Sequence, residues 1–460
     1  MPYESSTFRW NNSNKGKKIL IACAPADGHF NPLTGLAKHL QSLDYDVRWY
    51  SSNYYAPKLN KLGIQHYPFK RALDVVAHQL DKMWPQRSKI RNPIRKLNFD
   101  LINYFILRST EYLEDIQEIH ESFDFDLMIA DCTFVGIPLV KKVIGVPVIS
   151  VGIVPLGETS KDLPPSGLGL TPAETTVGKV RDVAMRWIAK NLLFRKSNKV
   201  FYKLMGRYGI EKQGDLFFDV LVREADYLLQ IGSPGFEYRR SDLGANVRFV
   251  GTLLPHSSKQ EREPWFDERL NKYEQVVLVT QGTVEKNVNK LLVPTIEAFK
   301  GSKILVVVTT GGSKTAELRA KYPYDNIIIE DFIPFTDVMP YADAYVTNGG
   351  YGGVMLGISN NLPLVVAGIH EGKNEINARV GFFNLGINLK TENPIPLQIR
   401  NAVIEVITNG LYKRNIALLR EELSTYDALA ICQRFVEEIL PRTASTVTPR
   451  EFTEGVYVNN

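Results

Sequence analysis

Cysteine is scarce, with three in 460 residues, and Cys23, Cys132 and Cys432 show neither metal-ligand nor disulfide spacing. That speaks against a disulfide-stapled secreted scaffold and points to a reducing cytoplasm. Long apolar runs are missing too. The most apolar stretch, Val140 to Pro155, is broken by Lys141 and Lys142, and nothing approaches the roughly 18 residues of a membrane span. Met1 to Lys18 lacks the apolar centre of a secretory signal, and residues 1–16 read as a disordered leader. Charge is not one-sided: 55 Lys and Arg face 50 Asp and Glu, a net +5, so nucleic acid is not an expected partner. Solenoid repeats and low-complexity tracts are absent. With 44% hydrophobic and 23% charged residues, the composition is that of a globular chain too long for one core. Two domains are expected.

The apolar run in Lys17–Ala24 suits a buried parallel strand. It ends in Pro25-Ala26-Asp27-Gly28-His29-Phe30-Asn31-Pro32, after which Leu33–Leu40 has helical spacing, with Asn31 as N-cap and Pro32 as first helical residue. Tyr45–Tyr50, Asp126–Asp131, Val146–Val151, Ala225–Gln230 and Val247–Gly251 read as further strands. Helices are predicted over 177–209 and 216–224. Gly157–Glu174, rich in glycine and proline, is a long loop of the kind that tends to carry function. A second alternation follows, with strands at Val276–Thr280, Ile304–Val308, Asn326–Ile329 and Ala344–Thr347 and a helix predicted over 286–300. The class is α/β, two doubly wound sheets in tandem. The division is a first domain at 17–240, a linker region at 241–272, a second domain at 273–425, and a C-terminal helix and tail at 426–460.

Three places carry chemistry. In Tyr345-Val346-Thr347-Asn348-Gly349-Gly350-Tyr351-Gly352-Gly353-Val354 a strand breaks into a glycine-rich loop and then a helix. Glycines there let backbone N–H groups approach a ligand, and a helix N-terminus favours an anion, most often phosphate. Thr280-Gln281-Gly282-Thr283 ends another strand and offers either backbone contact with a diphosphate or a plain tight turn. His29 lies past the first strand, where open sheets place ligands, and Asp131 ends a strand on the same sheet edge. A carboxylate there can hold the imidazole tautomer while the ring accepts a proton. Asp124-Phe125-Asp126 spells the D-x-D of metal-dependent sugar transfer, but it enters a strand at the wrong sheet end. No metal is expected.

Around these lie Asp331-Phe332-Ile333-Pro334-Phe335, Asn361-Leu362-Pro363, and Glu371-Gly372-Lys373-Asn374-Glu375-Ile376-Asn377-Ala378. Their order and spacing, with Gly28-His29-Phe30-Asn31-Pro32, resemble the signature of the UDP-glycosyltransferase superfamily, in particular bacterial members acting on natural products and flavonoids. The resemblance implies the GT-B architecture: two Rossmann-like domains facing a central cleft, with a C-terminal helix crossing back. It implies an inverting hexose transfer from a nucleotide diphospho-sugar to a hydroxyl of a hydrophobic acceptor such as a flavonoid or polyketide. No cofactor is implied beyond that co-substrate.

His29 would be the general base and Asp131 its orienting partner. The donor would meet Gly282, Thr283, Phe332 (stacking on the base), Ile333 (through its backbone), Asn348, Gly349, Gly350, Tyr351, Gly352 and Gly353. Glu371, Lys373 and Asn374 would lie near the sugar. Three positions depart from the pattern. Asn348 replaces a phosphate-contacting histidine, Phe335 stands where plant relatives have glutamine, and Leu356 stands where many relatives hold the ribose diol with glutamate. The last suits a deoxyribose donor such as dTDP-rhamnose and leaves UDP-glucose open. Phe30, Trp84, Phe134, Ile153 and the 157–170 loop are candidate acceptor walls. The alternatives are an epimerase of the same fold and a non-catalytic nucleotide-sugar binding protein.

Overall fold

The computed structural model describes residues 16–75, 80–211, 216–256, 263–282 and 285–440. Seven strands build the first sheet: β1 (Lys18–Ala22), β2 (Asp46–Ser51), β3 (Gln65–Pro68), β4 (Leu127–Asp131), β5 (Val148–Gly152), β6 (Tyr227–Ile231) and β7 (Val247–Gly251). Six build the second: β8 (Gln275–Thr280), β9 (Ile304–Thr309), β10 (Ile327–Glu330), β11 (Ala344–Thr347), β12 (Leu364–Val366) and β13 (Gly386–Asn388). The orders are β3-β2-β1-β4-β5-β6-β7 and β10-β9-β8-β11-β12-β13, and both sheets are parallel throughout. Parallel strands covered on both faces need unbroken apolar runs. Accordingly Leu127, Met128, Ile129 and Ala130, like Val277, Leu278 and Val279, have no exposed surface.

Each sheet reverses its winding at one place, between β1 and β4 and between β8 and β11. Loops leaving adjacent strands there diverge to opposite faces and open a crevice for ligands. His29 follows β1 and Asp131 ends β4, while Gly282 and Asn348 follow β8 and β11.

Several sequence expectations need adjustment. β7 hydrogen-bonds to β6, so the first domain runs to Gly251 and the linker starts after it, not at 241. The strand pattern of Val247–Gly251 outweighs the polar residues before it. The first helix is Asp27–Ser42, with Pro32 inside it and Ala26 at the N-cap position. His29 N–H and Phe30 N–H both bond the Ala26 carbonyl, at 3.0 Å each, so the helix begins at Asp27, ahead of Asn31. His29 therefore sits in a first helical turn. Pro32 removes only the bond to the Gly28 carbonyl, and Gly28 is exposed to water.

The helix expected over 286–300 shrinks to Leu292–Phe299. Glu285 and Asn287 side chains accept backbone N–H groups of Asn287 and Asn289 at 2.8 and 3.1 Å, which competes with helix formation. Asp126 accepts Lys18 N–H at 2.8 Å and so fixes the register of β1 on β4 at the end opposite the crevice.

The last described helix, Ala428–Ile439, packs on β7 and on Asp27–Ser42. His39 Nε2 lies 3.0 Å from Gln433 Oε1, and Tyr227 donates to Glu438 at 2.6 Å. The leader up to residue 15 and the tail from 441 lie outside the described residues. Among the described residues, no helix is long and apolar enough to cross a membrane.

Candidate functional site

β1 and β4 are neighbours in register, Ala22 beside Ala130, so the residues just past their ends converge. His29 Nδ1 lies 3.0 Å from Asp131 Oδ1. Asp131 has no exposed surface. Its Oδ2 accepts Ala24 N–H at 2.7 Å, and its Oδ1 accepts the Thr133 N–H at 2.8 Å and the Thr133 hydroxyl at 2.6 Å. Burial by itself would raise this carboxyl. The facing His29, its hydrogen bond, and those from Thr133 and Ala24 outweigh burial and hold the group below the usual carboxylate range. An ionised Asp131 places the imidazole proton on Nδ1, which leaves the lone pair on Nε2. His29 is the partly exposed member of the pair, so a hydroxyl can reach that lone pair. Cys132, next to Asp131 in the chain, is no nucleophile: burial, then the Asp131 charge, push its thiol up to about 12.

Thr133 was not among the residues read from the sequence. Its Oγ1 lies 3.0 Å from His29 Nδ1 as well as on Asp131, so it closes a three-membered cluster. The Asp131-Cys132-Thr133 spacing, a hydroxyl two residues past the carboxylate, was the available signal.

At the second switch point the Asn348-Gly349-Gly350 turn leads into the helix Tyr351–Ser359. The first helical bond at this end runs from Val354 N–H to the Gly350 carbonyl, so the N–H groups of Tyr351, Gly352 and Gly353 precede the helical ladder. Together with the helix dipole they form an anion cradle. Asn348 is used by the turn itself: its amide nitrogen donates to the Gln281 carbonyl at the end of β8, and its oxygen accepts Gly350 N–H at 3.4 Å. Gly349 has φ +85°, and a Cβ there would lie 1.7 Å from Asn377 Oδ1. Among the described residues, that oxygen and Gln281 Oε1 are buried without a hydrogen-bond partner. Gly282 has φ +75° and faces the Asn348 amide. Thr283 lies outside the described residues.

Phe332 is 67% exposed, an unusual exposure for a phenylalanine. Gly311 N–H bonds the Asp331 carbonyl at 2.9 Å, and a Cβ on Gly312 would stand 3.8 Å from the Phe332 ring. The turn after β9 thus supports a free aromatic face. Ile333 beside it is buried. Leu356 is half-buried against the main apolar core, and so is Phe335.

Other expected residues are placed differently. The Tyr351 side chain is buried and donates to the Ile231 carbonyl at 2.6 Å, so it faces the first domain and only its backbone faces the cradle. Phe30 stacks on Tyr55 with centroids 4.2 Å apart, and Phe134 stacks on Tyr112 at 4.7 Å. Both are core residues, as is Ile153, because the strands beneath them are covered on both faces. None of the three offers a wall to an acceptor. Trp84 is half-buried, edge-on to Phe99. Glu371 and Lys373 pair with each other at 2.6 Å. The Lys373 stem lies 3.1 Å from where a Gly368 Cβ would be, beside the Asn348 carbonyl.

Asn374 donates to the Gly167 carbonyl at 2.8 Å, which ties the 157–174 loop to the second domain. The neighbouring Glu375, unexpected from the sequence, does more. One oxygen accepts Gly167 and Gly169 N–H at 2.8 and 2.7 Å, and the other lies 3.1 Å from Arg379. Arg379 also pairs with Glu237, whose second oxygen accepts Leu156 N–H at 2.9 Å. Burial opposes the Arg379 charge, but Glu237 and then Glu375 hold it above its ordinary value. Glu375 and Arg379 four apart on one helix were the signal that register-dependent motif reading missed.

The chain is similar to several known proteins. Residues 303–437 match the family described as the C-terminal domain of erythromycin biosynthesis protein CIII-like proteins. The chain is 31% identical to 4'-demethylrebeccamycin synthase of Lentzea aerocolonigenes, over 92% of this chain and 100% of that one. It is 32% identical to UDP-glucosyltransferase 1 of Beauveria bassiana (strain ARSEF 2860), over 90% and 94%. Among solved structures, CalG4, the calicheamicin glycosyltransferase, superposes with a TM-score of 0.71 at 18% identity, covering 93% of this chain and 99% of CalG4. At that identity the likeness is one of fold.

Proposed function

Since the chain belongs to the UDP-glycosyltransferase superfamily, we propose that it moves a hexose from a nucleotide diphospho-sugar to a hydroxyl of a hydrophobic small molecule, with inversion. It is a glycosyltransferase of the natural-product type. The observation that carries the mechanism is the His29–Asp131–Thr133 cluster at the β1/β4 switch point.

His29 Nε2 takes the proton of the acceptor hydroxyl as its oxygen attacks the anomeric carbon from the face opposite the diphosphate. The bond from that carbon to the phosphate oxygen breaks, and the electron pair leaves with the nucleoside diphosphate. Asp131 stabilises the imidazolium so formed. The Tyr351, Gly352 and Gly353 N–H groups receive the leaving charge without a metal. Phe332 stacks on the base.

Two donors have separate support. Leu356 supplies no carboxylate to a ribose diol, which favours a dTDP-sugar. The relatives named UDP-glucosyltransferases favour UDP-glucose. Calorimetric titration with UDP and with dTDP, then with the matching diphospho-sugars, separates them. Tighter dTDP supports the deoxyribose reading and tighter UDP refutes it. Absence of binding by either overturns the donor site.

A further inference from the structure

The helix Thr176–Ile188 is built inside out. Its one buried residue is Asp182, while Val177, Val180, Val183, Trp187 and Ile188 are exposed, at 81, 65, 57, 61 and 40%. At about 100° per residue these five side chains fall on one arc roughly 140° wide. Lys179 and Arg181, both exposed, border the arc on its two sides. Asp182 is held inside by Arg181 at 2.6 Å and Ala173 N–H at 3.3 Å. The apolar stripe therefore faces outward by construction.

The surface continues. Asn98 donates to the Leu193 carbonyl at 2.7 Å and accepts Ser197 N–H at 3.3 Å, which joins the segment 82–98 to this helix and its extension. Leu192, Ile94, Leu97 and Met83 add exposed apolar surface, at 59, 44, 43 and 45%. Between the two segments lies a groove of about 1010 Å³, lined among others by Lys89, Arg91, Arg95 and Lys196. Residues 81–100 and 174–207 together hold fifteen Lys and Arg against four acids, Asp81, Asp100, Glu174 and Asp182, of which Asp81 and Asp100 pair with Arg87. The chain's net charge is only +5, so everything outside these segments is net negative.

We propose that this face docks on an anionic lipid bilayer, lying in the headgroup plane without crossing it. A projecting apolar arc with tryptophan at its centre and basic residues at its borders is the pattern of an interfacial helix. The charge decides the occupant. A rim with many more basic than acidic residues complements anionic headgroups, each basic residue not already paired strengthening partition about fivefold. A second copy of this chain would set the same positive rims against each other.

The test is flotation of the full-length protein with phosphatidylcholine vesicles, with and without phosphatidylglycerol, a readout independent of turnover. The protein floats with the anionic vesicles only. Val180→Ser/Trp187→Ser weakens partition about tenfold or more. Lys190→Gln/Lys196→Gln weakens it about twentyfold, and only on anionic vesicles. All four positions are exposed, so both variants keep the wild-type circular dichroism. Failure of the wild type to float, equal partition on neutral vesicles, or a dimer that Val180→Ser/Trp187→Ser dissociates each overturns the proposal.

Discussion

The Arg379 guanidinium lies 2.8 Å from the Glu237 carboxylate, joining residues 142 positions apart across the seam between the two domains. Both side chains are nearly without exposure, 2 and 5%, and Arg379 also lies over the Tyr238 ring at 4.3 Å. Removing one partner of such a pair strands the others as buried charges. Arg379→Met is expected to cost about 3–5 kcal/mol in urea unfolding. The triple variant with Glu237→Gln and Glu375→Gln recovers a large part of that. If the triple is no more stable than the single, the electrostatic account is wrong.

His29→Ala is expected to lower the rate of acceptor-dependent nucleotide release by about a thousandfold, within the range for a lost general base. Asp131→Asn acts in the same direction through the imidazole tautomer. Calorimetric affinity for the nucleotide diphosphate stays at the wild-type value in both. A loss of nucleotide affinity equal to the loss of rate would place His29 in donor binding.

The buried Asp131 makes stability depend on pH with a definite sign. Its folded-state value lies below the unfolded one, near 3.9. The stabilisation is therefore complete above about pH 4 and lost as pH falls through the folded value. Asp131→Asn abolishes this contribution. The gap in melting temperature between wild type and variant is expected to be constant at neutral pH and to narrow in acid below about pH 4. Stepped-pH thermal unfolding reads it, and a gap that stays flat into acid contradicts it.

Phe332→Ala is expected to weaken nucleotide binding by about tenfold or more, since stacking on a base contributes roughly 1–3 kcal/mol. Phe332→Trp retains affinity. With two-thirds of the ring exposed, the substitution leaves the melting temperature near that of wild type. Unchanged affinity in Phe332→Ala would remove this ring from the donor site.

Strand positions and the two switch points were legible in the sequence because parallel strands covered on both faces write themselves as unbroken apolar runs. His29 and Asp131 were legible because each lies just past the end of such a run. Thr133, Glu375 and Arg379 left only weak local signals, a hydroxyl two residues past Asp131 and an acid and a base four apart, and their roles come from the distant partners His29, Gly167 and Glu237. Gly167 and Gly169 meet Glu375 more than two hundred positions later. Phe30 and Phe134 misled for the opposite reason. They flank His29 and Asp131 in the chain, yet a side chain in a first helical turn or past a strand end points into the core as readily as into the cleft.

Gly349 and Asn377 show how tightly the glycine-rich loop after β11 is packed. A methyl group on Gly349 would need the space that the Asn377 side chain fills, and Asn377 is tied to the Gly368 carbonyl at 2.9 Å. No side chain fits at Gly349 while Asn377 keeps its place, and φ +85° strains any side-chain-bearing residue there. Change near this loop is therefore cheaper at neighbours with slack, such as the half-buried Leu356 and the outward-facing Phe332, than at the glycine.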